Sequence, residues 1–165
     1  MESKLYLESL KKKYQRYFDI EENVSVGNIP IDLFAKSHVR NEKFFASKSV
    51  TLYAFENNEY CYAKAFQKLT FEDVVSFVNV LKKQITDQGN VKEDHMSSTF
   101  TGILITHSII DPTLVSYIKK FNYQKSYLLG LKGWSDVRLV LVNLETDEVV
   151  TSKKAKDVKK LYLPN

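Results

Sequence analysis

The 165-residue chain contains one cysteine, three prolines and five glycines. The single cysteine, Cys61, excludes an intramolecular disulfide and is typical of a protein from a reducing cytoplasm. No apolar run approaches the roughly 18 residues of a membrane-spanning helix. The charged residues that follow Met1 do not form the apolar core of a secretory signal. We therefore expect a soluble cytoplasmic protein with no membrane contact.

Motifs for common cofactors and hydrolytic sites are also missing. The chain has no P-loop, no Gly-x-Gly-x-x-Gly segment and no Gly-x-Ser-x-Gly elbow, which argues against nucleotide-cofactor and serine-hydrolase chemistry. Its histidines, His38, His95 and His107, lack the spacing of a preassembled metal site, and Cys61 has no second cysteine beside it. We expect no cofactor and no bound metal, apart from magnesium or manganese under the nuclease hypothesis described below.

What the chain does contain is the composition of a globular domain, with 44% apolar and 13% aromatic residues. Its length fits a single domain over residues 1–165. Apolar residues at helical spacing, with capping signals at Thr70 to Asp73 and at Asp111-Pro112, predict four helices. They cover residues 3–17, 70–85, 112–121 and 152–162. Alternating or continuous apolar patterns predict strands over residues 18–26, 29–39, 49–55, 60–66, 100–105, 123–131, 137–142 and 149–150.

The segment of residues 49–66 organises the predicted sheet. Val50, Leu52 and Ala54 fall at every second position, and the second half of the segment is rich in aromatic residues, so both halves are typical of strands. The Asn57-Asn58 pair tolerates the left-handed backbone conformation that a tight turn requires. We therefore predict a β-hairpin with its turn at residues 56–59.

The order of predicted elements is helix, strand meander, helix, strand, helix, strands and helix. A strand at residues 100–105, a helix of about ten residues and a strand at residues 123–131 predict a right-handed parallel crossover. The predicted fold is therefore α+β. Its sheet is mixed and mostly antiparallel, a meander plus one parallel βαβ crossover, and helices flank it.

This order of elements resembles the restriction-endonuclease-like fold of PD-(D/E)xK nucleases over residues 1–142. The resemblance implies a metal-binding strand Asp and, on the next strand, an acid two residues before a catalytic Lys. Asp32 and Lys64 match the outer positions, whereas Tyr62 stands where the central acid is expected, so the motif is degenerate. A displaced carboxylate would have to come from Glu56, Glu59 or Glu8.

Four short segments carry a second resemblance. They are residues 37–43, 56–61, 95–98 and 132–134, which read SHVRNEK, ENNEYC, HMSS and KGW. They are similar to a family of short uncharacterised proteins from anaerobic bacteria and archaea, classed as a domain of unknown function. This resemblance spans nearly the whole chain and implies a stand-alone protein, but it implies no activity, cofactor or catalytic residue.

Positive charge is gathered in two clusters. Lys and Arg number 24 against 20 Asp and Glu, a formal net charge of +4. One cluster is Lys11-Lys12-Lys13 with Arg16, and the other is a group of five lysines within residues 153–160. Such clusters can neutralise phosphates, although solvated lysines on helix surfaces are also common.

Three functions therefore stay open from the sequence. The first is a non-catalytic protein that binds nucleic acid or another polyanion, and the second is a metal-dependent nuclease that uses Asp32, Lys64 and a displaced Glu. The third is a protein-interaction or structural module, which includes a homo-oligomer. Cations beside aromatic rings suit nucleobases and phosphates, and loops next to buried strands often hold binding residues. On these grounds the candidate binding residues are Lys36, His38, Arg40, Tyr62, His95 and Trp134.

Overall fold

The computed structural model of the chain describes residues 1–37, 57–88, 97–127 and 133–164. Within these residues it contains three α-helices, seven β-strands and two short 3₁₀ turns. In chain order they are α1 (Ser3–Tyr14), β1 (Phe18–Val26), β2 (Ile29–Ser37), β3 (Asn57–Phe66), α2 (Phe71–Gln88), β4 (Ser97–Thr106), α3 (Pro112–Lys120), β5 (Tyr123–Ser126), β6 (Trp134–Asn143), β7 (Glu148–Thr151) and the 3₁₀ turns Lys153–Ala155 and Lys159–Tyr162.

The described strands form one mixed sheet with the order β1-β2-β3-β4-β6-β5. β1, β2 and β3 are antiparallel neighbours, whereas β3 with β4 and β4 with β6 are parallel pairs. β5 pairs with the first residues of β6 and β7 with its last residues, both antiparallel. The predicted α+β class and its mixed, mostly antiparallel sheet flanked by helices are thus confirmed.

Helices cover both faces of the sheet because both faces of its central strands are apolar. We call the side packed against α2 and α3 the α2 face; its sheet residues include Tyr60, Tyr62, Phe100, Leu104, Leu139 and Leu141. We call the other side, packed against α1 and the 3₁₀ turns, the α1 face; its sheet residues include Leu33, Ala35, Cys61, Ala63, Ile103 and Val140. Successive strand residues point to opposite faces, so these two sets alternate along each strand.

The helix starts follow the capping signals in the sequence. The Thr70 backbone N–H donates to Asp73 Oδ2 at 2.8 Å, and the Asp73 N–H donates back to Thr70 Oγ1 at 3.2 Å, which completes the predicted capping box. Asp111 Oδ1 accepts the Thr113 N–H at 2.8 Å, and Pro112 occupies the first helical position. Both helices therefore begin where the sequence predicts.

Close packing of α2 on β4 depends on Gly102. A Cβ atom added there would lie 2.6 Å from Cε1 of Phe77 and 2.8 Å from Cδ1 of Leu81. Since real Cβ atoms do not approach other carbons so closely, only glycine allows the helix to lie at this distance from the strand. The contact fixes the position of α2 over the parallel β3–β4 pair.

Three details of the predicted topology are wrong. Asn57 and Asn58 lie in β3 opposite Ser97 and Ser98, not in a turn, because ladder pairing with β4 outweighs the local turn preference. The strand at residues 123–126 is antiparallel to β6, and the crossover through α3 leads to β6 instead. The C-terminal segment forms 3₁₀ turns, not a regular helix, and Leu161 is exposed.

The first arm of the predicted hairpin falls on residues outside the described ranges. On the α2 face, Phe34 of β2 packs against Tyr62 of β3 with ring centres 5.0 Å apart. Among the described helices, none is both long enough and apolar enough to cross a bilayer.

Candidate nucleic-acid interface

The first helix and the C-terminal segment lie side by side on the α1 face. Tyr6 Oη donates to the Tyr162 carbonyl oxygen at 2.7 Å, and the hydroxyls of Tyr14 and Tyr162 are 2.6 Å apart. Lys13 Nζ donates to the Leu161 carbonyl oxygen at 2.9 Å. These bonds join residues 148 to 156 positions apart in the chain, and the three tyrosines are buried.

The buried junction between α1 and the C-terminal segment carries no charge at neutral pH. Burial raises the pKa of Tyr14 and of Tyr162 well above the ordinary value for a phenol. Burial also raises the pKa of the Cys61 thiol, which lies beside Tyr14, to about 12, and hydrogen bonds from its neighbours lower it only partly. The charge of this side of the molecule is therefore set by the ionisable side chains around the junction and not by the buried phenols and thiol.

The junction brings the two basic clusters of the sequence together. Residues 1–17 and 152–164 hold ten of the 24 basic residues and three of the 20 acidic ones, a formal charge of +7, so the rest of the chain carries −3. We call this surface the basic face; its cations are Lys4, Lys11, Lys12, Lys13, Arg16, Lys153, Lys154, Lys156, Lys159 and Lys160. The sequence predicts each cluster, but only the fold joins them.

Most cations of the basic face are available to a ligand. Lys11 is paired with Glu22 at 2.7 Å, and Lys154 contacts Asp136. In the part of the chain that the structure describes, Lys12, Lys156 and Lys159 are exposed and form no ion pair. The basic face therefore offers exposed ammonium groups on two neighbouring elements, an arrangement that suits a row of phosphates.

An exposed aromatic ring marks one end of the basic face. Tyr17 follows α1 and is 41% exposed, and the guanidinium carbon of Arg16 lies 5.2 Å from the centre of its ring. A tyrosine beside a guanidinium can stack on an unpaired nucleobase. The Arg16–Tyr17 pair therefore offers a stacking surface for a base, which a cluster of lysines alone does not.

The residues predicted for a nuclease site have structural roles at one end of the β2–β3 pair. Asp32 Oδ2 accepts the Ala65 N–H at 2.7 Å, in place of a backbone carbonyl. Lys64 Nζ donates to the Pro30 carbonyl oxygen at 2.9 Å. The fold thus brings Asp32 and Lys64 to the same end of the strand pair, and each side chain is bonded to backbone there.

The carboxylates around Asp32 do not fit a magnesium site of the endonuclease type. Glu59 points to the opposite sheet face from Lys64 because the two are five positions apart on one strand. Tyr62, at the position of the central acid, is buried, and burial raises its pKa, so it is a neutral phenol. Among the described residues, no three His, Cys, Asp or Glu side chains are grouped so that they could hold a metal ion.

A cleft of about 350 Å³ lies between α1 and the β1–β2 pair, beside Asp32. Glu8, one of the carboxylates considered for the nuclease site, lines it together with Glu22, Asp32 and Lys4. Charges of both signs meet there, and Glu22 is already paired with Lys11. The cleft is therefore a poorer place for a polyanion than the basic face.

The other predicted binding residues are scattered. Lys36 lies on the α2 face, with Nζ 5.6 Å from the centre of the Tyr60 ring, so neither it nor Lys64 extends the basic face. Tyr62 is in the core and has no surface to offer a ligand. Trp134, at the start of β6, is 45% exposed. His38, Arg40, Glu56 and His95 lie outside the described residues.

The predicted apolar strand at residues 137–142 contains one charged residue. The structure places this residue, Arg138, half-buried on the α1 face of β6. The signal was present in the sequence, since a lone arginine within an apolar strand has to find either an acceptor or a ligand.

The fold and its surface define a small α+β protein with a mixed sheet between two helical layers and one strongly basic face. The chain belongs to the family described as a domain of unknown function (DUF8052), whose model matches residues 2–164. This confirms the family expected from the four short segments. Among curated proteins, none matches the chain.

Proposed function

We propose that this protein is a non-catalytic nucleic-acid-binding protein whose basic face contacts the phosphate backbone. The observation that carries the proposal is the junction of Tyr6, Tyr14 and Tyr162, which brings together two segments, residues 1–17 and 152–164, of combined formal charge +7 in a chain of net charge +4. An uneven distribution of charge of this size attracts polyanions over a range of about 10 Å at moderate salt.

Nucleic acid suits this surface better than other polyanions do. Exposed lysines give contacts that do not depend on sequence, since ammonium groups neutralise phosphates without reading bases. The Arg16–Tyr17 pair supplies a ring and a guanidinium on which a base can stack. Single-stranded nucleic acid presents phosphates and unstacked bases together, so we expect it to bind more tightly than a duplex.

Binding without cleavage is part of the proposal. Asp32 and Lys64 are engaged with backbone atoms, and the third acid of the endonuclease-like motif is replaced by the buried Tyr62. We also propose a cytoplasmic location, which the single, buried Cys61 supports.

The test is fluorescence anisotropy with labelled single-stranded and duplex oligonucleotides between about 50 and 200 mM salt. For the wild-type protein we expect the logarithm of the affinity to fall linearly with the logarithm of the salt concentration. In the variant Lys12→Gln/Lys159→Gln, the affinity should fall for every sequence. The slope on duplex DNA should drop by about 0.9 for each phosphate that the variant no longer neutralises.

The matched control is Lys119→Gln/Lys120→Gln, which removes the same charge from the exposed end of α3 on the other side of the sheet. We expect this control to bind as the wild-type protein does, since its lysines lie on the opposite helical layer. Equal losses in the two double variants would mean that net charge, and not the basic face, determines binding. Salt-independent binding, or binding to heparin with none to DNA or RNA, would also reject the proposal.

A further inference from the structure

Strand β6 presents three chemically distinct side chains to the α1 face near its amino end. Trp134, Asp136 and Arg138 are spaced by two residues, so they point to the same side of the sheet. In the parallel register, Asp136 lies beside Thr99, and Arg138 lies beside Thr101, which in turn lies beside Cys61. A ring, an acid and a guanidinium thus follow one another along one strand, next to two threonine hydroxyls.

Arg138 is the unusual member of this row. It is half-buried, and its Nε atom is buried without a hydrogen-bond acceptor among the residues that the structure describes. A guanidinium carries five N–H donors in a fixed plane, and buried donors in native proteins are normally paired with protein, water or ligand. Arg138 is therefore a donor group held in place without an acceptor from the described part of the chain.

In the part of the chain that the structure describes, no acid forms an ion pair with Arg138. Lys154 contacts Asp136 and donates to Gln124 Oε1 at 3.2 Å, so the nearest acid on the strand is already neutralised. Across the sheet, Thr101 and Cys61 are uncharged, because burial keeps the thiol protonated, and Glu59 lies on the same face next to Cys61 in β3. An anion at Arg138 would therefore meet the charge of one guanidinium that has no carboxylate bonded to it.

Trp134 adds an aromatic ring to this row of side chains. Its indole is 45% exposed, and the residue lies about 13 Å from Arg138 along the strand, at about 3.3 Å per residue. The arginine side chain can shorten that distance, so one ligand with a planar ring and a phosphate could contact both residues. Aromatic rings stack on every nucleobase, whereas guanidinium groups bind phosphate with two parallel hydrogen bonds.

We propose that Arg138 and Trp134 form a nucleotide site, in which Arg138 binds a phosphate monoester and Trp134 stacks on the attached base. Lys154 assists by neutralising Asp136. The phosphate can belong to a free mononucleotide or to the 5′ end of a nucleic acid, since both present the same group. The site goes beyond the proposed function, which concerns phosphodiesters on the basic face.

Intrinsic fluorescence tests this proposal directly because Trp134 is the one tryptophan of the chain. We expect adenosine 5′-monophosphate to change the emission saturably, and inorganic phosphate to compete with it without stacking on the indole. Adenosine should bind more weakly than the monophosphate. In Arg138→Gln the affinity for the monophosphate should fall by about tenfold or more, as expected when a phosphate no longer has a bidentate partner.

Two further variants separate loss of binding from loss of folding. Arg138→Lys keeps the charge without the planar fork and should bind with intermediate affinity. Arg16→Gln removes an arginine of the basic face and should bind the monophosphate as the wild-type protein does. Circular dichroism confirms that each variant is folded before titration. The site is rejected if the folded Arg138→Gln and Arg138→Lys variants both bind the monophosphate as tightly as the wild-type protein, or if the monophosphate leaves the emission unchanged.

Paired oligonucleotides identify the source of the phosphate. Tighter binding of a 5′-phosphorylated strand than of its 5′-hydroxyl counterpart, abolished in Arg138→Gln, supports a nucleic-acid end as the ligand. Binding of the monophosphate with no preference between the two strands supports a free nucleotide. The variant Lys12→Gln/Lys159→Gln should keep its affinity for the monophosphate. A wrong proposal for the basic face and a wrong proposal for the nucleotide site would therefore give different results.

Discussion

The replacement Tyr14→Phe tests whether the buried tyrosine junction holds the basic face together. It removes one oxygen atom from a position where the Tyr14 and Tyr162 hydroxyls are 2.6 Å apart and both residues are buried. The Tyr162 hydroxyl would then be buried without its partner, and the Cys61 thiol would lose its bond to Tyr14. Leaving a buried polar group unpaired costs about 1 to 3 kcal/mol.

We therefore expect Tyr14→Phe to lower the free energy of unfolding by about 1 to 3 kcal/mol, measured by urea denaturation. The melting temperature should fall by roughly 2–4 °C for each kcal/mol in a chain of this size. Tyr162→Phe should cost less, because Tyr14 keeps its bond to Cys61. The matched control is Tyr17→Phe, which removes the same atom from an exposed ring and should change stability by less than about 0.5 kcal/mol.

A double-mutant cycle gives the decisive comparison. Once one hydroxyl of the Tyr14–Tyr162 pair is removed, the second can be removed at lower cost, since it no longer has a partner. We expect a coupling energy of at least about 0.5 kcal/mol. Additive single effects, or a Tyr14→Phe variant as stable as Tyr17→Phe, would refute the view that this hydrogen bond stabilises the junction.

Three further predictions concern packing, pH and the end of the β2–β3 pair. Gly102→Ala should cost about 1 to 3 kcal/mol in the same denaturation assay because its Cβ would lie 2.6 Å from Phe77, and Phe77→Leu in the same chain should recover part of the loss; an unchanged stability would contradict the close packing. Burial raises the folded-state pKa of Cys61 from 9.0 to about 12, so the contribution of the protonated thiol to the free energy of unfolding is complete below pH 9 and is lost as the pH rises towards 12. At pH 10 the wild-type protein should have lost about 1 kcal/mol more than Cys61→Ala, relative to pH 7, and equal losses would show that the thiol does not contribute. Asp32→Ala should lower the free energy of unfolding by about 1 kcal/mol, because the Ala65 N–H loses its acceptor, and a neutral effect would mean that water replaces the carboxylate.

Local features of the fold follow from the sequence where neighbouring residues decide the structure. The Thr70–Asp73 capping box and the Asp111-Pro112 start of α3 both depend on contacts within a few positions. In contrast, Asn57 and Asn58 favour a turn by themselves but lie in β3, because they pair with Ser97 and Ser98 of β4. These partners come 40 residues later in the chain. Sequence patterns cannot supply such partners, so strand order was the least predictable feature of the fold.

The candidate surfaces also combine features that neighbouring residues determine with features that depend on distant contacts. Each basic cluster is visible as a run of lysines, yet their proximity depends on bonds from Tyr6 and Tyr14 to Tyr162, across almost the full length of the chain. Asp32 and Lys64 do come to one end of a strand pair, as the endonuclease resemblance implies, but their bonds to backbone atoms could not be foreseen. Arg138 was overlooked because its apolar neighbours dominate the strand pattern.

The contact between α1 and the C-terminal segment also links the basic face to the stability of the fold. The bonds from Tyr6 and Tyr14 to Tyr162 hold the two segments side by side. In an unfolded chain, residues so far apart in sequence are not neighbours, so local unfolding that detached either segment would separate the two basic clusters without changing the net charge. By mass action, a polyanion that binds only the joined clusters, as proposed here, would therefore raise the free energy of unfolding of this protein.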